Sequence, residues 1–183
     1  MLIISENLMG IVRSANVCPV ELVEEFSLRI KLDPRIRRMR STPPAEPLVY
    51  GSPYDVDAYF EPLESLTRDL VLEPGDRVLA CSADRYAMPI NNFGLVQTKG
   101  SLARLFVATT CNDGQVEPGF NGKITLEIVS FSTCKIAIPV GASIAQLFVF
   151  RCTTPAAHPY EGRYNRAMEP TVADFSQRQV ETK

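Results

Sequence analysis

Residues 116–150 read VEPGFNGKITLEIVSFSTCKIAIPVGASIAQLFVF, and this stretch decides the fold class. Ile124, Leu126 and Ile128 alternate with Lys123, Thr125 and Glu127, the period of two that a half-buried strand produces. Apolar runs at residues 124–131, 136–140 and 144–150 are bounded by Glu117-Pro-Gly119, Asn121-Gly122 and Pro139-Val-Gly141, each a turn signal. Working back toward the N-terminus, further short runs lie at residues 105–108, 94–96, 78–81 and 70–72. Asn112-Asp-Gly114 and Glu73-Pro-Gly-Asp76 supply the turn chemistry between them. Many short strands, regular turns and few helices predict an all-β sandwich or barrel.

The ends are less regular. Ser5 offers an N-cap for a short helix over residues 5–12, with Leu8, Met9 and Val12 on one side. Phe26, Leu28, Ile30 and Leu32 alternate with Ser27, Arg29 and Lys31, which predicts a strand. Residues 33–62 are rich in proline and charge and read as a long surface excursion. After residue 151 prolines, tyrosines and arginines follow with little periodicity. The expectation is one domain over residues 1–183. It has an irregular N-terminal part to residue 65, a β core over 66–151 and a C-terminal tail over 152–183 that covers the site.

Hydrophobic residues make up 45% of the 183, enough for a sizeable core. A net charge of −2 gives no global attraction to nucleic acid or an anionic membrane, so a phosphate-bearing partner needs a local cluster. No apolar run approaches the roughly 20 residues that span a bilayer. The N-terminus lacks a basic region followed by a small-residue cleavage site. A cytoplasmic protein is expected. Cys18, Cys81, Cys111, Cys134 and Cys152 are odd in number and scattered, which argues against a disulfide framework or a zinc site. The single histidine, His158, lies in a proline-rich loop, so no catalytic thiol is expected.

Several motifs, in order, resemble the dCTP deaminase family. Residues 70–105, LVLEPGDRVLACSADRYAMPINNFGLVQTKGSLARL, are similar to the family's strand pair leading into RSS-x-AR. VEPGFNGKITLEIVS resembles IDPGFEG-x-I-T-LE, IPVGASIAQLFVF resembles PG-x-x-IAQL-x-F, and YEGRYNRAMEPT follows the spacing of the C-terminal tail motif. The resemblance covers more than half the chain and is weak over the N-terminal third. It implies a distorted jelly roll of the β-clip, dUTPase-like kind with a few short helices. It also implies a homotrimer with shared active sites, and metal-free hydrolytic deamination of dCTP to dUTP and ammonia.

On this resemblance Glu127 falls on the catalytic glutamate, the general acid–base that passes protons between water and the cytosine ring. Read from alternation alone, it is a strand glutamate facing solvent. Arg104 falls on the active-site arginine. Lys99 and Ser101 open the same motif at phosphate-binding positions and complete the pocket of a neighbouring chain, with Gly100 between them as a further substrate-binding position. Asn112 and Asp113 take the place of the pair that contacts the cytosine, and Glu117 that of an aspartate sensing the sugar 3′-hydroxyl. Gln146, Tyr160 and Arg163 match phosphate or sugar contacts. Residues 94–98 and 123–131 are expected to bring Lys99, Arg104 and Glu127 into one cleft. The zinc-dependent route needs H-x-E with P-C-x-x-C, and the sequence has neither. Magnesium is expected only as a companion of the triphosphate.

The match departs from the family in a few places. Gly100 replaces a serine that helps hold the attacking water, Ala167 a glutamine that reads the triphosphate, and Phe106 a small residue. Lys99 stands for an arginine, keeping the charge but not the bidentate geometry. Asp113 beside Glu127 is expected either to raise its pKa by like-charge repulsion or to hold a second water. Two alternatives accompany the main reading. One is a bifunctional dCTP deaminase and dUTP diphosphatase yielding dUMP, and the other a catalytically inactive nucleotide-binding or regulatory homologue. A pure dUTPase is disfavoured because ADFSQRQVETK lacks a glycine-rich motif.

Overall fold

Strand β1 (Leu28–Arg38) runs through the middle of the sheet in the computed structural model, which describes residues 1–176. Helix α1 (Ser5–Ala15) and a single 3-10 turn (Val20–Leu22) precede it. Helix α2 (Val56–Tyr59), β2 (Glu64–Ser65), β3 (Leu70–Leu72), β4 (Arg77–Ser82), β5 (Tyr86–Ala87) and β6 (Asn92–Thr98) follow. Then come α3 (Gly100–Ala103), β7 (Val107–Ala108), β8 (Gln115–Val116), β9 (Asn121–Gly122), β10 (Thr125–Ser130), β11 (Ile136–Ile138) and β12 (Ser143–Arg151). The main sheet is ordered β7-β10-β4-β1-β12-β6-β8, with β2 also on β1, and the ladders β11-β3 and β5-β9 lie beside it. Every pairing is antiparallel.

The pleat sorts side chains as the alternation predicts. In β10 Leu126 and Ile128 are fully buried, while Thr125 and Glu127 on the opposite face are half-buried. Leu147 and Val149 of β12 and Leu28 and Ile30 of β1 enter the same core, and Leu8 and Val12 of α1 close it from one end. Gly75 and Gly141 turn the chain at φ +84° and +80°, where a Cβ is disfavoured.

Part of the N-terminal segment is more regular than its proline and charge suggest, while residues 40–55 form no helix or strand. Alternation ends the strand at Leu32, yet β1 continues to Arg38 with Ile36 fully buried. Its first half pairs with β12 and its second with β4, where Arg37 and Arg38 oppose Leu79 and Val78. Pro34 sits where the β4 register shifts, between Leu32 and Ile36, the kind of place a sheet accepts a residue without an N–H. Phe26 is exposed rather than inward. Ile4, not Ser5, takes the N-cap position of α1, and the Ser5 hydroxyl donates to Glu25 instead. Asn121 and Gly122 form β9 rather than a turn, because β5 offers a partner. Leu105 and Phe106 stay exposed ahead of β7, with Phe106 at φ +59°. All five cysteines are free. No helix among the described residues is long and apolar enough to cross a membrane.

Candidate active site

Because Leu126 and Ile128 commit one face of β10 to the core, Glu127 projects from the other, into a cavity of about 460 Å³. Lys123 and Thr125 share its wall, the loop before β8 adds Asp113, and the turn between β8 and β9 adds Glu117 and Phe120. Phe60 enters from beyond α2, and Tyr160, Tyr164, Thr171 and Val172 from the tail. Asp113, Glu117, Glu127 and Tyr160 of the expected set therefore meet in one place.

The loop is latched to Glu127 twice. The Cys111 N–H donates to the Glu127 carbonyl at 3.2 Å, and the N–H groups of Asp113 and Asn112 donate to its Oε2 at 3.2 and 3.4 Å. Burial raises the Glu127 pKa, the Asp113 charge adds to the rise, and the two N–H groups offset only part of it. Burial also raises the pKa of Glu117, again helped by Asp113, and that of Tyr160, helped by Glu117. A carboxyl whose proton affinity is lifted toward neutrality suits both taking and returning a proton.

The tail crosses the cavity as a strap. The Tyr160 N–H donates to the Pro118 carbonyl at 2.8 Å, Arg166 N–H to Asn121 at 2.7 Å, and Lys123 N–H to Ala167 at 2.7 Å. The Thr125 and Thr171 hydroxyls lie 3.0 Å apart. A Cβ on Gly122 would stand 2.9 Å from the Ala167 carbonyl oxygen, so the close approach requires glycine. Farther on, the Phe175 ring meets Tyr50 edge-on at 5.3 Å, tying the strap to the residue 33–62 segment. Residues 177–183 of the expected tail lie outside the described residues.

One feature of the site has no local signal in the sequence. Lys123 contacts Asp33, which is 4% exposed and also accepts from Arg35 Nε at 2.9 Å and Nη2 at 3.1 Å. Burial would push the Asp33 pKa up, but the hydrogen bonds from Arg35 and Lys123 outweigh it and hold it below the ordinary value. Among the described residues no group of three His, Cys, Asp or Glu stands together as a metal cage.

The family model described as dCTP deaminase-like matches residues 6–152. The chain belongs to the dCTP deaminase family. A dUMP-forming dCTP deaminase of Mycolicibacterium vanbaalenii is 34% identical over 139 residues, 76% of this chain and 72% of that protein. One of Streptomyces coelicolor is 31% identical over 83% of this chain and 94% of its own. The solved dCTP deaminase of Agrobacterium tumefaciens superposes with a TM-score of 0.61 at 20% identity, covering 81% of this chain and 47% of that one, and so shows the fold.

The remaining residues of the dCTP deaminase signature stand apart from the cavity. Lys99, Gly100, Ser101 and Arg104 lie on or beside α3, and none lines it within one chain. The single cleft expected for Lys99, Arg104 and Glu127 is thus not formed by one chain. Helix α3 joins the end of β6 to β7, and β7 pairs with β10 through Val107 and Ala108, so the turn adjoins the strand of Glu127 without lining its cavity. Arg104 Nη1 donates to the Gly100 carbonyl at 2.9 Å, and a Cβ on Gly100 would lie 3.1 Å from that nitrogen. The glycine therefore lets the guanidinium fold back on its own turn. Gln146 Nε2 donates to Glu24 and to Ser27, at 3.0 and 3.1 Å. Arg163 is exposed on the strap.

Proposed function

We propose that this chain deaminates dCTP and then hydrolyses the resulting triphosphate, releasing dUMP, with Glu127 as the general acid–base. The observation that carries the first step is the placement of Glu127. It is half-buried, held by two backbone N–H groups, raised in pKa and turned into a cavity large enough for a nucleoside. Ionised, it takes a proton from water as the oxygen attacks C4 of cytosine. The same carboxyl delivers that proton to N3, then takes the proton of the new C4 hydroxyl and passes it to the departing amino group, so water and dCTP give dUTP and ammonia. A second water then attacks the α-phosphorus and diphosphate leaves. Two relatives named dUMP-forming, matched over 72% and 94% of their lengths, favour this sequence over deamination that stops at dUTP.

Arg104, Lys99 and Ser101 act in this reading from a neighbouring copy, in a homotrimer whose cavities are completed across chain boundaries. Glu117 and Tyr160 hold the sugar, and the N–H groups that latch residues 111–113 fix the wall against which the base lies. Magnesium arrives on the triphosphate oxygens as part of the substrate, since it keeps most of its waters and takes few protein carboxylates.

The test is incubation of the purified protein with dCTP, with ammonia measured and nucleotides separated by chromatography. Ammonia together with dUMP and diphosphate is the expected result. Accumulating dUTP would remove the second step. Binding of dCTP with no ammonia would replace the whole reading with that of an inactive nucleotide-binding homologue.

A further inference from the structure

The cavity around Glu127 is short of positive charge. Its wall carries Asp113, Glu117, Glu127 and Lys123, and the Lys123 ammonium is already matched by Asp33. A nucleotide polyphosphate cannot be held by such a wall alone, so its counter-charges must come from another surface.

That surface is visible on the outer face of β1 and β12. Arg29 opposes Gln146 and Lys31 opposes Ser143, and directly opposed residues share one face of a sheet. The register shift between Ile30 and Lys31 keeps these four outward while Ile144 and Ala145 turn into the core. Lys99, just past the end of β6, reaches the same point from the other side, its Nζ 3.5 Å from Ser143 Oγ. One half-buried lysine thus reaches the Ser143 hydroxyl and a second stands opposite Ser143 in the strand register. Among the described residues neither forms an ion pair. Arg29 is already engaged, with Nε 3.3 Å from Glu24 and Nη2 donating to the Glu21 carbonyl at 2.8 Å. Like charges gathered on a partly desolvated face are unfavourable unless an anion joins them.

We propose that Lys31 is a further phosphate-binding residue, acting with Lys99 and Ser143 on the polyphosphate of a nucleotide whose base lies in the cavity of a second copy. The inference rests on the functional reading above and adds to it a strand that none of the signature motifs contains. Charge complementarity selects the second copy as the occupant of this face. The acidic cavity and the unpaired basic site have no lining residue in common, so each supplies what the other lacks. The site is incomplete without the partner.

Lys31→Ala and Lys31→Arg test this. The readouts are KM and kcat for dCTP, thermal melting, and the affinity for inorganic tripolyphosphate measured by calorimetry. A charge-assisted contact of ordinary strength predicts roughly a tenfold rise in KM and a similar loss of tripolyphosphate affinity in the alanine variant. Melting and kcat should stay near wild type, and Lys31→Arg should recover most of the loss. Wild-type KM and tripolyphosphate affinity in Lys31→Ala would overturn the role of Lys31 while leaving the deaminase reading standing. So would a loss that the arginine variant shares in full, which marks packing rather than charge. Absence of ammonia from the wild-type protein would instead strike the functional reading, and calorimetry with tripolyphosphate would still decide whether Lys31 binds phosphate.

Discussion

The Asp113 N–H donates to Glu127 Oε2 at 3.2 Å, while the Asp113 carboxylate repels that same group. One residue therefore both steadies the ionised glutamate and penalises it. The two effects are separable, because Asp113→Asn keeps the N–H and removes the charge. With one of the causes of the raised pKa gone, the Glu127 pKa should fall. Glu127 must be ionised to accept the proton of water, so activity is lost as pH drops through its pKa. The acidic limb of the pH–rate profile should therefore move to lower pH in Asp113→Asn. A limb that stays in place, or moves up, would detach Glu127 from the proton transfer.

Glu127→Gln keeps the shape and the two N–H contacts but cannot carry the proton. Turnover should fall by about 10²–10⁴-fold, with dCTP affinity retained. The same substitution reads out on stability. The folded pKa lies above the ordinary 4.5, so the glutamate favours the fold while protonated and that contribution is lost as pH rises through the folded pKa. The glutamine variant should therefore melt higher than wild type near neutral pH, and the difference should vanish below pH 4.5. Thermal melts across pH, run beside the ammonia assay, check both halves.

Asp33→Ala removes the anion that faces both Lys123 and Arg35. Breaking a buried pair in this way leaves an uncompensated cation, at a cost of about 3–5 kcal/mol. Denaturant unfolding of both proteins measures it. Because the Asp33 pKa is held down in the fold, its contribution is present above the ordinary 3.8 and is lost as pH falls through the folded value. The gap between variant and wild type should accordingly narrow in acid.

Gly122→Ala inserts a methyl group where Ala167 backbone atoms lie 2.9 and 3.0 Å away. Backbone cannot yield as a side-chain tip does, so the strap should lift from β9. Limited proteolysis should then cut the chain after residue 160 faster than in wild type, and KM for dCTP should rise. Unchanged cleavage and KM would show that the strap is dispensable.

Much of the architecture was readable because a period of two survives in short strands. Leu126, Ile128, Leu147 and Val149 announce their faces without help from any other part of the chain. Glu127 was readable only through its motif, since alternation alone makes it an ordinary outward glutamate. What escaped has one physical origin. Asp33 meets Lys123, Phe60 lines the cavity, and Phe175 meets Tyr50, and each contact joins residues far apart in sequence. Local pattern cannot encode such pairings. Pro34 and the run of arginines after it suggested a surface loop, because the bulge that accommodates them depends on β4. Arg104 does not line the cavity of its own chain, because its guanidinium folds back on the Gly100 carbonyl, a contact that no sequence pattern signals.

The hand-over of β1 from β12 to β4 also bears on how this protein can be dissected. Strands β7, β10 and β4 lie to one side of it and β12, β6 and β8 to the other, so β1 is the seam between two half-sheets. A fragment beginning at residue 39 would keep nearly every signature residue and lose the seam. Two raw edges of unpaired N–H and C=O groups would open in its place, and such edges recruit other chains. An N-terminal deletion should therefore yield aggregates rather than a smaller active enzyme. Supplying residues 1–38 as a separate peptide is the way to seek a split, self-complementing form.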